Sequence, residues 1–131
     1  MQRHQVSSGG PYEDVYGYSR AVRVGDQVHV SGTTARGPDL DGDAYGQARA
    51  ALVIIDDALR RLGSSLDAVV RTVTYVTDIA DADLVARAHR EMLGHVRPAA
   101  TLVAVSALLD PRMRVEIEAY AVEPGSAGAA S

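Results

Sequence analysis

Two stretches of the sequence carry a helical pattern, and their small number limits the folds open to this chain. The first covers about residues 44–62, where apolar side chains recur at i, i+3, i+4 and i+7, with Asp43 as N-cap and Gly63 at the C′ position. The second begins at Asp78 or Asp81. Two helices are too few to cover both faces of a five-stranded sheet. The pattern therefore predicts an α+β fold with both helices on one face.

Five segments predict strands. Alternating residues on either side of Gly25-Asp26 indicate a hairpin. The five strands are expected at residues 18–24, 27–31, 69–77, 98–108 and 114–122. The element order is then β-β-α-β-α-β-β in a mixed sheet. Apolar residues occupy both phases of the strands, so we expect the uncovered face to be buried between subunits of an oligomer.

The chain of 131 residues has the length of one domain. Residues 1–13 and 123–131 are rich in small, polar and helix-breaking residues, which predicts flexible tails. The single domain is expected over residues 14–122.

Composition excludes several classes of function. The absence of cysteine excludes disulfides, thiolate metal sites and a thiol nucleophile, and no histidine pair has zinc-ligand spacing, so no metal site is predicted. A net charge of −4 and the lack of a basic cluster argue against nucleic-acid binding. No apolar run reaches the ~20 residues of a membrane span, and we expect a cytoplasmic protein.

Two polar features of the strands admit two interpretations each. Glu116 and Glu118 share one phase of an otherwise apolar strand. They either face water as ordinary ion-pairing residues, or Glu116 faces a partly closed cleft where desolvation raises its pKa and suits it to proton transfer. Ser31, before Gly32, is either a carboxylate-binding residue or an ordinary strand end. The residues alone leave both questions open.

Three stretches together resemble one family. Residues 17–32 contain GYSRAVRVGD and end in Val-Ser-Gly, residues 76–78 read Val-Thr-Asp, and residues 97–122 run from Arg-Pro-Ala to VEIEAYAV. These motifs resemble those of the Rid/YjgF family (reactive intermediate deaminases) in order and position over residues 17–122. The resemblance implies a chorismate-mutase-like protomer and a homotrimer with ligand clefts between subunits.

The same resemblance implies a function, the hydrolysis of reactive enamines and imines, with no cofactor. Glu116 would hold or activate a water, Tyr18 would donate a hydrogen bond, and the Gly32 N–H with Thr33 or Thr34 would bind an oxyanion or carboxylate. The expected substrate-binding positions are Ser31, Gly32, Thr33, Arg97, Ala100 and Thr101.

The sequence departs from the family pattern at the carboxylate anchor. Ala100 stands where the best-known members have an arginine that binds the substrate carboxylate, Ala86 replaces an Asn and Arg20 replaces a Gln. Loss of a bidentate anchor predicts poor deamination of 2-iminobutanoate and 2-iminopropanoate. Arg97 and Arg20 are the candidates for a replacement positive charge.

Two classes of function therefore compete. The first is an enzyme acting on a small enamine, imine or related carbonyl compound. The second is a non-catalytic trimer that binds a small metabolite or docks on a partner. A ribonuclease activity, attributed to some family members, is disfavoured by the acidic charge.

Overall fold

The computed structural model describes residues 2–123, which form one mixed sheet and three α-helices. The strands are β1 (Arg3–Val6), β2 (Ala21–Val24), β3 (Gln27–Thr33), β4 (Val69–Val76), β5 (Ala99–Ala104) and β6 (Val115–Val122). The helices are α1 (Tyr12–Tyr16), α2 (Ala44–Arg61) and α3 (Ala82–Leu93), with single 3₁₀ turns at Gly37–Asp41, Leu66–Ala68 and Ile79–Asp81. The sheet order is β1-β2-β3-β6-β4-β5, and only the β4–β5 pair is parallel.

Local signals explain where α2 and the hairpin begin and end. The Asp43 side chain accepts a hydrogen bond of 2.8 Å from the Gly46 N–H and so caps α2. Gly63 follows α2 with φ +79°, and Gly25 has φ +61° in the turn between β2 and β3. Both values lie in the left-handed region that glycine adopts at low cost. The predicted hairpin and first helix are confirmed.

The hydrophobic core lies between α2, α3 and one face of the sheet. Leu52, Ile55 and Leu59 of α2 are fully buried against inward-facing strand residues such as Ile117. On α3, His89 Nε2 lies 2.8 Å from Thr72 Oγ1 of β4, which places that helix on the same face. The predicted α+β class, with both long helices on one side of a mixed sheet, is confirmed.

The prediction of an unstructured N-terminal tail is wrong for part of residues 1–13. Residues 3–6 form β1, which pairs antiparallel with β2 from Arg3↔Val24 to Val6↔Ala21, and α1 begins at Tyr12. The side chains of β1 are mostly exposed, so this strand adds to the sheet through its backbone and carries no apolar pattern. The sheet therefore has six strands where five were expected. Of the predicted C-terminal tail, residues 124–131 lie outside the described residues.

The second face of the sheet is the one opposite α2 and α3. Glu116, Glu118 and Tyr120 of β6 point to this face, with Tyr75 of β4 opposite Glu116 in the strand register. The Tyr75 hydroxyl donates to Glu118 Oε1 at 3.2 Å, and Val103 of β5 is 41% exposed beside them. Within residues 2–123, no helix is long and apolar enough to cross a membrane.

Candidate functional site

A cavity of about 340 Å³ opens beside the central strands β3 and β6. Four segments line it: the chain before and into α1, the residues just before β2, the end of β3 with the loop that follows it, and the loop that precedes β6 with the start of β6. The polar residues that line it are Ser8, Tyr12, Tyr18, Arg20, Thr34, Arg36, Asp110, Arg112 and Glu116. Segments that are distant in the sequence thus bring side chains capable of acid–base chemistry and anion binding to one cavity.

Glu116 lies directly over Gly32. The pairing between β3 and β6 shifts between Val30 and Thr33, so Gly32 sits in an irregular part of the strand. A Cβ atom added to Gly32 would lie 2.7 Å from Glu116 Oε2 and 2.9 Å from Glu116 Cδ, closer than real Cβ contacts. Only glycine at position 32 leaves room for the Glu116 carboxylate in its observed position.

The Glu116 carboxyl is half-buried, and burial raises its pKa above the ordinary value of 4.5. The positive charge of Arg20 acts in the opposite direction, and the negative charge of Glu118 adds to the increase. A carboxyl with a raised pKa accepts a proton more readily than a solvated one. The cleft interpretation of Glu116 is therefore the one that the geometry favours.

Arg20 is a buried cation beside this carboxyl. It is 6% exposed, and its Nη1 donates to Gly32 O at 3.0 Å and to Thr33 Oγ1 at 2.7 Å. Its guanidinium carbon lies 5.3 Å from the centre of the Tyr18 ring. Arg20 Nε is buried and has no hydrogen-bond partner among the described residues. Arg20 thus fixes the irregular end of β3 while keeping its charge next to the cavity.

Of the predicted site residues, Tyr18, Gly32 and Glu116 line the cavity, whereas the side chains of Ser31 and Thr33 are directed elsewhere. The Ser31 hydroxyl donates to Ser19 O at 2.7 Å. The Thr33 side chain is buried and donates to Ser31 O at 2.7 Å, while Thr34 lines the cavity. The β3 irregularity accounts for this, because it changes which side chains face outward.

The remaining predicted residues lie at the β5 edge of the sheet, two strands away from β6. Ala100 and Thr101 belong to the edge strand β5 and line a groove with Ala86 and His89 of α3. Arg97 precedes β5 with φ +55° and lines a neighbouring depression. Within one protomer, the predicted site residues therefore form two separate groups.

Loops contribute two cations and one acid, Arg36, Arg112 and Asp110, that no sequence motif indicates. Arg36 follows β3, and its Nη1 donates to Ser8 O at 2.9 Å. Arg112 pairs with Asp110 of the same turn, with 3.0 Å between Nη2 and Oδ2. The sequence contains no signal for Arg36, because its position depends on the folding of a distant N-terminal segment. Within residues 2–123, no cluster of three or more His, Asp or Glu side chains could hold a metal ion.

Glu13 fixes that N-terminal segment at the rim of the cavity. Its Oε2 accepts hydrogen bonds from Ser8 N at 3.1 Å, Ser8 Oγ at 2.7 Å and Gly10 N at 3.0 Å. Burial alone would raise the pKa of Glu13, but the hydrogen bonds from Ser8, Gly10 and Ser7 outweigh it and lower the pKa to about 2. The ionised carboxylate therefore stabilises the folded protein.

We expect Glu13→Gln to lower the free energy of unfolding by up to about 3 kcal/mol at neutral pH. The folded-state pKa is depressed, so this contribution is present above the unfolded-state pKa of 4.5 and declines as pH falls toward 2. Urea unfolding measures this contribution at neutral pH and at about pH 3, with the protein concentration kept the same. The difference from wild type should shrink at the lower pH. Equal stabilities of Glu13→Gln and wild type at neutral pH would show that these hydrogen bonds contribute nothing. The control is Asp57→Asn, on the exposed face of α2.

The sequence and the fold are similar to those of known proteins. Residues 12–123 match the family model described as endoribonuclease L-PSP. A crystal structure from Mycobacterium tuberculosis, of a member of the YjgF/YER057c/UK114 family, has a TM-score of 0.86 and 45% identity, covering 92% of this chain and 99% of that one. The chain belongs to the Rid/YjgF family.

Two relatives span most of the chain. An uncharacterised protein of Streptomyces coelicolor is 40% identical over 121 residues, which are 88% of this chain and 90% of that protein. The 2-iminobutanoate/2-iminopropanoate deaminase of Mus musculus is 32% identical over 111 residues, covering 81% of each. The family thus includes proteins named as imine deaminases.

Proposed function

We propose that this protein hydrolyses a small imine, enamine or related carbonyl compound in a cleft completed by a second copy of the chain. The observation that carries the proposal is the Glu116 carboxyl, half-buried over Gly32 in a cavity that also holds Tyr18 and a buried arginine. A relative named as an imine deaminase adds support. No cofactor takes part in the proposed reaction.

The proposed reaction consumes one water and releases one ammonia. The ionised Glu116 carboxylate takes a proton from water while the water oxygen bonds to the imine carbon. The electron pair of the C=N bond moves to nitrogen, which takes up the proton held by Glu116 and becomes the amine of a neutral carbinolamine. Glu116 then removes the proton of the carbinolamine hydroxyl as the C=O bond forms. The C–N bond breaks, its electron pair moves to nitrogen, and the same proton passes from Glu116 to the leaving nitrogen, so ammonia and a carbonyl compound are released and the carboxylate is ionised again. Tyr18 donates a hydrogen bond that orients the substrate.

Assembly as a homotrimer joins the two groups of predicted residues. Glu116 and Gly32 lie on β6 and β3, whereas Ala100 and Thr101 lie on the edge strand β5. The sheet face opposite α2 and α3 exposes apolar area, including Val103, that a neighbouring copy would bury. A neighbour packed on that face would bring its own β5 edge to the Glu116 cavity, and the cleft would then contain both groups.

The pH dependence of ammonia release tests the role of Glu116. Only the ionised carboxylate can take a proton from water, so kcat should fall as pH decreases through the Glu116 pKa. Burial raises that pKa, so the acidic limb should lie above 4.5, the ordinary value for a glutamate. The substrate is an imine generated in the assay from an amino acid by an amino-acid oxidase, corrected for the rate in buffer.

Each possible result of this assay is informative. A limb above pH 4.5 that disappears in Glu116→Gln supports the proposal. A rate that equals the buffer rate at every pH, for imines and enamines alike, overturns it. In that case a compound that raises Tm without turnover would establish the non-catalytic binding function instead.

A further inference from the structure

The Glu116 carboxyl is half-buried, yet no hydrogen bond from another described residue contributes to its ionisation. Glu13 is the opposite case, because three donors from Ser8 and Gly10 hold its Oε2 and lower its pKa to about 2. A carboxylate held in that way is a weak base, since its lone pairs are occupied and its affinity for a proton is low. The Glu116 oxygens are free to accept from a water, so the group that stabilises their charge against burial has to act without touching them.

Arg20 is the positive charge placed to do this. It is 6% exposed, lines the same cavity as Glu116 and is tied to the neighbouring backbone, since its Nη1 donates to Gly32 O at 3.0 Å. The same Nη1 lies 2.7 Å from Thr33 Oγ1, and the centre of the Tyr18 ring lies 5.3 Å from the guanidinium carbon. All these partners are neutral, so they fix the position of the cation without neutralising it.

Arg20 and Glu116 compensate each other's charge, although they form no direct ion pair within residues 2–123. The charge of Arg20 lowers the pKa of Glu116, whereas burial and the charge of Glu118 raise it. In return, the carboxylate is a counter-charge for a guanidinium whose buried Nε has no hydrogen-bond partner among the described residues. Each charge is thus stabilised while the carboxylate oxygens stay free.

The other titratable groups around Glu116 come from the strands and loops packed beside it. Glu118 lies on the same face of β6, and Tyr75 of β4 is opposite Glu116 in the register. On β3 the titratable residue is His29, which pairs with Tyr120 near the far end of β6. Those that line the cavity are Tyr12, Tyr18, Arg36, Asp110 and Arg112.

The two loop arginines are less well placed than Arg20 to act on the carboxylate. Arg112 pairs with Asp110 in the turn before β6. Arg36 is exposed, so solvent screens its charge. Arg20 is the positive charge that affects the pKa of Glu116.

We infer that Arg20 is a positioning residue of the Glu116 site: its charge keeps the half-buried carboxylate ionised near neutral pH, and its bond to Gly32 O holds the two charges apart at a fixed place. The inference rests on the proposed function, because it states how Glu116 is kept in the form that acts as a base. Arg20 itself takes up no proton and touches no reacting atom.

The ionisation of Glu116 is measured without turnover from the pH dependence of its ¹³Cδ resonance in glutamate-labelled protein. The signal is identified by its loss in Glu116→Gln. We expect Arg20→Gln to raise the Glu116 pKa by about one pH unit or more, because a favourable charge is lost. Arg20→Lys keeps the charge, so the pKa should stay within about half a pH unit of wild type. An unchanged pKa in Arg20→Gln, or an equal rise in Arg20→Lys, would overturn the inference.

Two further variants make the titration specific. Arg20→Met is a second charge-free variant with a side chain of similar length, and a Tm measurement shows that each protein is folded. Arg36→Gln is the matched control, since it removes an exposed cation from the same cavity and should change the Glu116 pKa by less than about 0.3 pH units. A rise as large as that in Arg20→Gln would show that the total charge of the cavity sets the ionisation, which contradicts the assignment.

The pH dependence of ammonia release distinguishes an effect of charge from a loss of structure. In Arg20→Gln the acidic limb of kcat should move to higher pH by the same amount as the Glu116 pKa, which lowers the rate on the limb by about tenfold per pH unit. Above the limb, kcat and KM should lie within a few-fold of wild type. An equal loss at every pH, with the limb unmoved, would show a structural role only and overturn the inference.

The titration and the kinetics fail independently. A higher Glu116 pKa in Arg20→Gln, with no ammonia release from any imine, would retain the role of Arg20 and reject the proposed reaction. Ammonia release that requires Glu116, with a Glu116 pKa that does not respond to Arg20, would support the reaction and overturn the inference.

Discussion

Replacing Glu116 with glutamine should lower kcat/KM for imine hydrolysis by about 10²–10⁴-fold, the usual contribution of a positioned general base. Glutamine keeps the size and shape of the side chain over Gly32 but cannot accept the proton from water. Burial raises the Glu116 pKa, so the ionised form is less favourable in the folded protein than in the unfolded chain. The variant should therefore be as stable as wild type or more stable at neutral pH.

Measuring both the rate and the stability of Glu116→Gln distinguishes a catalytic role of Glu116 from a structural one. Steady-state ammonia release gives kcat and KM, and thermal unfolding gives the stability. Glu91→Gln is the control, since Glu91 is an exposed glutamate on α3 that lies outside the cavity, and its rate should stay within about twofold of wild type. A Glu116→Gln protein that retains full activity would contradict the proposed role. A variant that loses activity only because it unfolds would contradict the expected stability.

Gly32→Ala should reduce kcat by about 10²-fold, because the added methyl group displaces the Glu116 carboxylate. The new Cβ would lie 2.7 Å from Oε2 and 2.9 Å from Cδ of that side chain. The φ angle of Gly32 is not in the left-handed region, so the backbone itself tolerates alanine. Movement of the flexible carboxylate relieves the contact, and the fold should persist. Ammonia release and the Tm are the two measurements.

Gly46→Ala is the matched control for a glycine substitution. At Gly46 the added Cβ would lie 3.5 Å from Asp43 Oδ1, an ordinary contact, within α2. Alanine favours helix over glycine by up to about 1 kcal/mol, so this variant should be at least as stable as wild type and equally active. In a Glu116→Gln background, Gly32→Ala should cause little further loss, since the two changes affect one group. Full activity in the single Gly32→Ala variant would show that the position of the carboxylate is not critical.

The sequence was sufficient to predict the elements whose patterns depend on burial. The spacing of apolar residues in α2, together with the Asp43 cap and Gly63, reflects one helical face packed on a sheet. The strand β1 could not be predicted in this way. Its side chains are mostly exposed, and it is held by backbone pairing with β2, which leaves no periodic apolar pattern.

The residues of the candidate site were likewise predictable only in part. Tyr18, Gly32 and Glu116 were predicted from their motifs, and the structure places them around one cavity. The irregularity in β3 decides that Thr34, and not Thr33, lines this cavity, and sequence alternation does not reveal such a shift. Arg36 was missed for a different reason, since its orientation depends on a contact with Ser8, 28 residues earlier in the chain.

The most direct test of the central claim is the initial rate of ammonia release from an imine generated in the assay, compared among wild type, Glu116→Gln and buffer. We predict that wild type exceeds buffer and that the variant falls close to the buffer rate while remaining folded. Three equal rates, across imines with and without a carboxylate, would contradict the claim that the Glu116 cavity catalyses this hydrolysis.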